Sequence, residues 1–162
     1  MMHKRSLLLV SAALSLIALF AAGLYAASDV PDIIKMENKA YEKHTKAIVE
    51  FHHKKHAETY AQQNPKIYDL GCGECHHDDK GKPLTGLKAG DPVKGCIECH
   101  SKPGELIGTK AKGLTDKQKL EFHANAVHEN CRSCHRDYNK EKNLKSKDPG
   151  YAPISCNSCH KG

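Results

Sequence analysis

Apolar residues are spread unevenly along this chain. Residues 7–24 form one apolar run without a single charge, and the remainder is poor in core-forming residues. Helical spacing is clearest after Thr115. Gln118 stands three residues further on, as in a capping box, and Leu120, Ala124 and Val127 then fall on one face. The pattern predicts one helix there, with His128 at the end of the apolar stripe.

The segment before residue 52 has an ambiguous pattern. Tyr41, His44, Ile48 and Phe51 recur at helical spacing. Further along, turn-forming pairs of glycine and proline interrupt the chain at residues 81–83, 90–92, 103–104 and 149–150. Long regular elements are therefore not expected between those turns.

The N-terminal run has the features of an export signal. His3, Lys4 and Arg5 precede it and small residues, Ala26 to Ser28, follow it. We predict a signal peptide over residues 1–26, cleaved after Ala26 or Ala27, and a mature domain over residues 27–162. An uncleaved membrane anchor is the alternative, because the run is close to the ~18–20 residues that span a bilayer. Either reading places the remainder outside the cytoplasm.

Composition limits what the mature domain can be. The chain has 162 residues, with three Phe, six Tyr and no Trp, but eight Cys and 12 His. So little apolar bulk does not offset the ordering entropy of a folded chain. The domain must therefore be disordered, cross-linked or built around something that it binds, and the Cys and His counts favour the last.

Charge adds little to this picture. Cleavage removes Lys4 and Arg5 and leaves 23 basic residues against 19 acidic ones. The two signs alternate for most of the chain, without the arginine-rich stripe or interleaved aromatic residues of a nucleic-acid-binding surface. No nucleic-acid partner is expected.

The cysteines occur only in four copies of C-x-x-C-H, the attachment signature of c-type haem. In this motif two thiols bond the porphyrin vinyl groups and the following histidine reaches the iron. Disulfides are common in exported proteins, but they do not explain the histidine after each cysteine pair. Zinc sites and iron–sulfur clusters use other spacings. The pattern predicts four covalently bound haem c groups. Their attachment cysteines are Cys72, Cys75, Cys96, Cys99, Cys131, Cys134, Cys156 and Cys159, and their proximal ligands are His76, His100, His135 and His160.

The supply of further ligands decides what such irons do. An open sixth position binds small molecules, whereas a filled one favours electron transfer. After cleavage seven histidines remain besides the four proximal ones, and Met36 is the one remaining methionine. Bis-His ligation throughout is therefore feasible and Met ligation throughout is not, which predicts low reduction potentials. The spare histidines are His44, His52, His53, His56, His77, His123 and His128.

With these motifs the chain resembles the class III, tetrahaem cytochromes c of sulfate- and metal-reducing bacteria. The resemblance covers residue 33 to the C-terminus and includes the V-x-F-x-H-x-x-H segment of residues 49–56 and the C-x-x-C-H-H segment of residues 72–77. It implies a mostly irregular fold with short α-helices and a small β-hairpin, a multihaem cytochrome fold wrapped around four c-type haems. The hairpin would precede a helix near His56.

The resemblance also implies the distal ligands. His53 would serve the first haem, His77 the second and His56 the third. The fourth takes a histidine from the segment before the third motif, and we assign His128, with His123 as the alternative. Many family members have C-x-x-x-x-C-H at the second and fourth motifs, whereas all four motifs here have the shorter spacing. The segment before Cys131 is also shorter than in some members, which makes the fourth distal ligand the least determined.

Three functions fit these features. The first is a monomeric periplasmic electron carrier. The resemblance implies a periplasmic hydrogenase or formate dehydrogenase as donor and a membrane redox complex as acceptor in anaerobic respiration. The second is a small multihaem reductase of a metal ion or of a sulfur or nitrogen compound, which needs an open iron. The third is a membrane-anchored, quinol-oxidising cytochrome or a subunit of a haem filament. Lysines near the fourth motif form either a docking rim for an acidic partner or a solvated surface; they are Lys140, Lys142, Lys145, Lys147 and Lys161.

Overall fold

The computed structural model describes residues 31–161. The predicted signal peptide of residues 1–26 and its cleavage site lie outside the described residues and stay predictions. Within the described range, no helix combines the length and apolarity needed to cross a bilayer.

A short antiparallel hairpin opens the described chain. Strand β1 (Ile34–Lys35) pairs with β2 (Glu50–Phe51), with Ile34 opposite Phe51. The helical spacing that begins at Tyr41 does not produce a helix, whereas the hairpin implied by the family resemblance is present. The side chain of Asn38 accepts the Ala40 N–H at 2.9 Å, and its carbonyl accepts the Tyr41 N–H at 3.1 Å. Such an Asx turn competes with helix formation.

A helix follows the hairpin, as expected. It consists of a π-helical part, Lys55–Tyr60, that runs into α1 (Ala61–Gln63). The carbonyl of His52 accepts both the backbone N–H of His56, at 3.2 Å, and its ring Nδ1–H, at 2.9 Å. This double contact fixes the orientation of the His56 ring.

The predicted capping box is present, but the helix that it begins is short. Gln118 donates its N–H to Thr115 Oγ1 at 3.3 Å, and α3 (Asp116–Leu120) follows. The prediction of a single helix is wrong after Leu120. Phe122 is extended and bridges Lys102, and a separate helix α4 (His123–Glu141) begins after it. His128 lies inside α4 and not at the end of a helix, because α4 continues through the third haem motif.

The remaining elements are single turns. They are a 3₁₀-helix at Gly71–Glu74, α2 (Cys96–Cys99), a 3₁₀-helix at Gly108–Ala111 and α5 (Cys156–Cys159). Loops and turns make up most of the rest. The expected fold class, mostly irregular with short helices and a hairpin, is confirmed, and the 19-residue helix α4 is the exception to it.

The described chain has no apolar core of its own. Among residues 31–161 no hydrophobic side chain is buried, while the polar Asn139 is only 5% exposed. Its amide accepts the Ala152 N–H at 2.8 Å and donates to the Ala152 carbonyl at 2.9 Å. Such a fold depends on polar clamps of this kind and on what binds between its segments.

Candidate functional site

The four C-x-x-C-H motifs share one local conformation, a helical turn. In three of them the histidine N–H donates to the carbonyl of the first cysteine: His76 to Cys72 at 3.0 Å, His100 to Cys96 at 2.8 Å and His160 to Cys156 at 2.8 Å. The third motif lies within α4. Residues three apart lie on one side of a helical turn, so each conformation presents both thiols in one direction.

The residue before the second cysteine explains why these short turns form. Glu74 accepts the Leu70 N–H at 3.0 Å, and Glu98 accepts the Gly95 N–H. Ser158 likewise accepts the Ser155 N–H at 3.0 Å. Each side chain satisfies a donor at the start of its turn that would otherwise lack a partner.

The cysteine sulfurs of different motifs lie near one another. None of the eight cysteines, all of which are described, forms a disulfide. Loss of solvation, to which the charges of Cys131, Cys134, Glu74 and Cys96 add, raises the pKa of Cys75 to about 12. It also raises the pKa of Cys131 to about 11, with Cys159 and Cys96 adding to the effect, although both residues keep exposed surface overall. These influences place cysteines of all four motifs within electrostatic range of one another.

The histidines that the sequence analysis selected form four pairs. Each proximal histidine faces one other imidazole, with ring centres 6.0–6.3 Å apart. The pairs are His76 with His53, His100 with His77, His135 with His56, and His160 with His128.

This separation fits a metal ion between two imidazoles. Two metal–nitrogen bonds of about 2 Å each, together with the distance from each nitrogen to its ring centre, give about 6 Å. Two imidazoles leave four equatorial positions, which is the number that a porphyrin supplies. Among residues 31–161, His, Cys, Asp and Glu side chains do not gather in groups of three or more that could hold a metal ion.

The hydrogen bonds of the ring nitrogens support the same reading. In six of the eight paired histidines Nδ1 contacts an oxygen acceptor, which leaves Nε2 for the paired ring. Five acceptors are backbone carbonyls: those of His52 for His56, Asp78 for His77, Leu120 for His100, Pro153 for His135 and Ala47 for His160. Metal-bound histidines commonly donate their second ring N–H in this way. The Nδ1 of His53 is buried and has no partner.

Burial favours the neutral form of at least two of these imidazoles. Burial lowers the pKa of His56, which the His52 carbonyl partly offsets and the nearby His135 lowers further. Burial also lowers the pKa of His76, with His53 and His77 adding to the effect. The neutral imidazole is the form that binds iron.

The histidines outside the four pairs have other surroundings. His123, the alternative fourth distal ligand, has its Nδ1 2.9 Å from the hydroxyl of Tyr41. Burial, followed by the charge of His100, lowers its pKa. His44 stacks on the ring of Tyr41, with ring centres 5.4 Å apart. Thus the ring that faces His160 belongs to His128.

Sequence reasoning missed the residues that orient the rings. Four of the six acceptors, in Leu120, Pro153, Ala47 and Glu105, lie at least 18 residues from the histidine that they bind. Most are carbonyls, which every residue has, so residue type gives no signal for them.

Comparison with known proteins agrees with this geometry. The class III cytochrome c family model matches residues 30–160. The chain belongs to the class III cytochrome c family. It is also 27% identical, over 134 residues, to a protein named "Cytochrome c3, 26 kDa" from Desulfomicrobium norvegicum, covering 82% of this chain and 96% of that protein. No solved structure gives a significant match. This class III cytochrome c is accordingly a multihaem electron-transfer protein with covalently attached haem c.

Proposed function

We propose that the protein is a periplasmic electron carrier with four low-potential, bis-His haem c groups, and that it performs no substrate chemistry of its own. A haem iron with both axial positions filled by the protein supplies one-electron oxidation and reduction. The observation that carries the proposal is the set of four imidazole pairs, each with ring centres 6.0–6.3 Å apart.

The pairs support the ligand set that the family resemblance implies. His76 and His53 would hold the first haem, His100 and His77 the second, His135 and His56 the third, and His160 and His128 the fourth. The thiols of the adjacent motif would attach each group covalently. Support comes from the ring nitrogens, because hydrogen bonds at Nδ1 leave Nε2 as the metal ligand in six of these eight side chains.

Short connections between the pairs favour rapid exchange of electrons. His76 and His77 are adjacent but belong to different pairs, and His53 and His56 are three residues apart and also belong to different pairs. These two short segments link the first site to the second and to the third. Such a tight arrangement suits transfer among sites more than chemistry at one of them.

Four pairs of imidazoles would leave no axial position for a methionine, and this favours low potentials. Each proximal histidine faces a second imidazole, and Met36 lies beside the hairpin, where its N–H donates to Val49 at 2.8 Å. Because Met ligation raises a haem potential, four His–His sites favour low ones. The carrier would therefore work in anaerobic respiration.

The donor and acceptor belong to the same proposal. Electrons would come from a periplasmic hydrogenase or formate dehydrogenase and leave to a membrane redox complex, with the mature protein acting as an exported monomer. The five lysines around the fourth motif are all exposed. Two of them, Lys140 and Lys142, lie at the C-terminal end of α4. A cluster of this kind would steer an acidic partner toward the fourth haem.

Haem count and ligand binding test the core of the proposal. A pyridine haemochrome assay of the purified protein should give four haem c per chain. Addition of carbon monoxide to the reduced protein at neutral pH should leave its absorption spectrum unchanged, since six-coordinate irons have no free position. Fewer haems, or substantial carbon monoxide binding, would instead favour a reductase with an open iron.

Charge reversal tests the docking surface. Replacing Lys142, Lys145 and Lys147 by Glu should slow electron transfer from an acidic donor and flatten its dependence on salt. The control reverses three exposed lysines between the second and third motifs, Lys110, Lys112 and Lys117. Equal rates and salt slopes in the two variants would remove the docking surface from the proposal.

A further inference from the structure

One of the eight paired imidazoles has an acceptor unlike all the others. His128 Nδ1 lies 2.7 Å from the carboxylate oxygen Oε1 of Glu105. Where the other paired rings have an acceptor at Nδ1, it is a neutral backbone carbonyl. The fourth pair therefore has a formal negative charge at a position where the second and third pairs have only a carbonyl dipole.

The segment that carries Glu105 is fastened to α4 on both sides of this residue. Before it, the Gly104 carbonyl accepts the Ala124 N–H at 3.2 Å. After it, the Leu106 N–H donates to Asn125 Oδ1 at 2.7 Å, and the Leu106 carbonyl accepts from Asn125 Nδ2 at 2.9 Å. Asn125 lies one helical turn before His128, so the clamp and the imidazole share a face of the helix.

The backbone around Glu105 favours this position for its side chain. Gly104 has φ +98°, a conformation that side-chain-bearing residues rarely adopt. Just before it, Lys102 bridges Phe122 and forms an ion pair with Glu121. The approach of Glu105 to His128 is thus built by several independent contacts and does not depend on one flexible side chain.

Partial shielding makes the charge effective. The side chains of Glu105 and His128 are 32% and 34% exposed, so water screens the pair less than it screens a fully exposed ion pair. A hydrogen bond to a carboxylate is roughly twice as strong as one to a neutral acceptor. It also raises the basicity of a metal-bound imidazole. Both effects stabilise the more positive, oxidised iron.

We propose that Glu105 is a positioning residue that lowers the reduction potential of the haem held between His128 and His160 by accepting the Nδ1–H of His128. The inference rests on the proposed function, because it presupposes that His128 is an iron ligand. It makes the fourth haem distinct from those whose ligands bond only to backbone carbonyls, although all four have the same two axial ligands.

The test compares two single-charge variants of the haem-loaded protein. Glu105→Gln keeps an oxygen acceptor and removes the charge. The control is Glu129→Gln. Glu129 is the residue next to His128, and its carboxylate lies 3.8 Å from Arg136 and not against the imidazole. The potential of each haem is measured by NMR-monitored redox titration, with the fourth haem assigned through its Cys156 and Cys159 thioether contacts.

Glu105→Gln should shift the oxidised-to-reduced equilibrium of the fourth haem about tenfold toward the reduced form, a rise of about 59 mV for a one-electron couple. The other haems and the control should move several-fold less. A second test uses the wild-type protein alone: in its NMR spectrum the Nδ1–H proton of His128 should resonate further downfield than that of His160. Equal changes in the potential of the fourth haem in both variants, or a His128 Nδ1–H resonance no further downfield than that of His160, would overturn the inference. Neither result would contradict the proposal of four bis-His haems. If His128 proves not to ligate iron, the proposed function fails first.

Discussion

Asn139 gives the sharpest stability prediction, since it is a buried polar residue in a chain whose described part buries no apolar side chain. Its amide forms two hydrogen bonds to Ala152, at 2.8 and 2.9 Å, and it is 5% exposed. Asn139→Ala removes both bonds and leaves the N–H and the carbonyl of Ala152 without partners in a place that water reaches poorly. Each buried donor or acceptor without a partner lowers the unfolding free energy by about 1–3 kcal/mol.

We therefore expect Asn139→Ala to lose about 2–4 kcal/mol of unfolding free energy. The measurement is a guanidinium chloride titration of the oxidised, haem-loaded protein, followed by far-ultraviolet circular dichroism and haem absorbance. The variant should also disturb the third haem, because Pro153, next to Ala152, accepts the Nδ1–H of His135 at 2.7 Å. Electron paramagnetic resonance should show altered g values for that one haem.

Asn125→Ala is the matched comparison. It removes a clamp of the same kind, with bonds of 2.7 and 2.9 Å to Leu106, from a position that is half-buried. Water can replace those bonds more easily, so the loss should be about half as large. A loss below about 1 kcal/mol in Asn139→Ala, or an equal loss in both variants, would refute the reasoning from burial.

Three further predictions follow from local geometry. A Cβ on the buried Gly73 would lie 3.1 Å from that of Pro83, so Gly73→Ala should lower the unfolding free energy by about 1–3 kcal/mol, while Gly86→Ala, with open space around it, should not. Burial raises the pKa of Tyr68 to about 12. Between pH 10 and pH 12 the phenol therefore ionises in the unfolded chain but not in the folded one, so the wild type should lose stability over this range and Tyr68→Phe should lose less. Thr115→Ala should cost about 1 kcal/mol and Thr115→Ser much less, since the capping oxygen is lost only in the first; both are measured by the same denaturant titration.

The residues of the candidate site are largely predictable from the sequence because their signal is local. Three of the four motifs form a single helical turn whose hydrogen bonds lie within the motif or just before it, so Cys72, Cys75 and His76 need no distant contact to adopt it. The family resemblance then supplied the pairing partners, including His53 and His77. Tyr41, by contrast, showed helical spacing that the Asx turn at Asn38 overrides.

The parts that could not be predicted depend on contacts between distant segments. The break at Phe122 exists because that residue pairs with Lys102, twenty positions earlier. The acceptors for His135 and His160 are the carbonyls of Pro153 and Ala47, at sequence separations of 18 and 113 residues. Carbonyls are present at every residue, so only the folded chain identifies which one is used.

Helix α4 shows why an apolar pattern was a poor guide to the working face of this protein. Asn125, His128, Cys131, His135 and Asn139 follow one another at spacings of three or four, so they lie on one face of the helix. His128 and His135, two turns and about 10 Å apart along the axis, belong to different imidazole pairs. Asn125 stands one turn before His128 and Asn139 one turn after His135, and each clamps the segment that supplies the acceptor for the neighbouring ring. The apolar stripe of Leu120, Ala124 and Val127 begins this part of the chain, but a polar stripe carries the candidate ligands. Where bound groups take the place of an apolar core, the residues that organise the interior are those that hold and orient ligands.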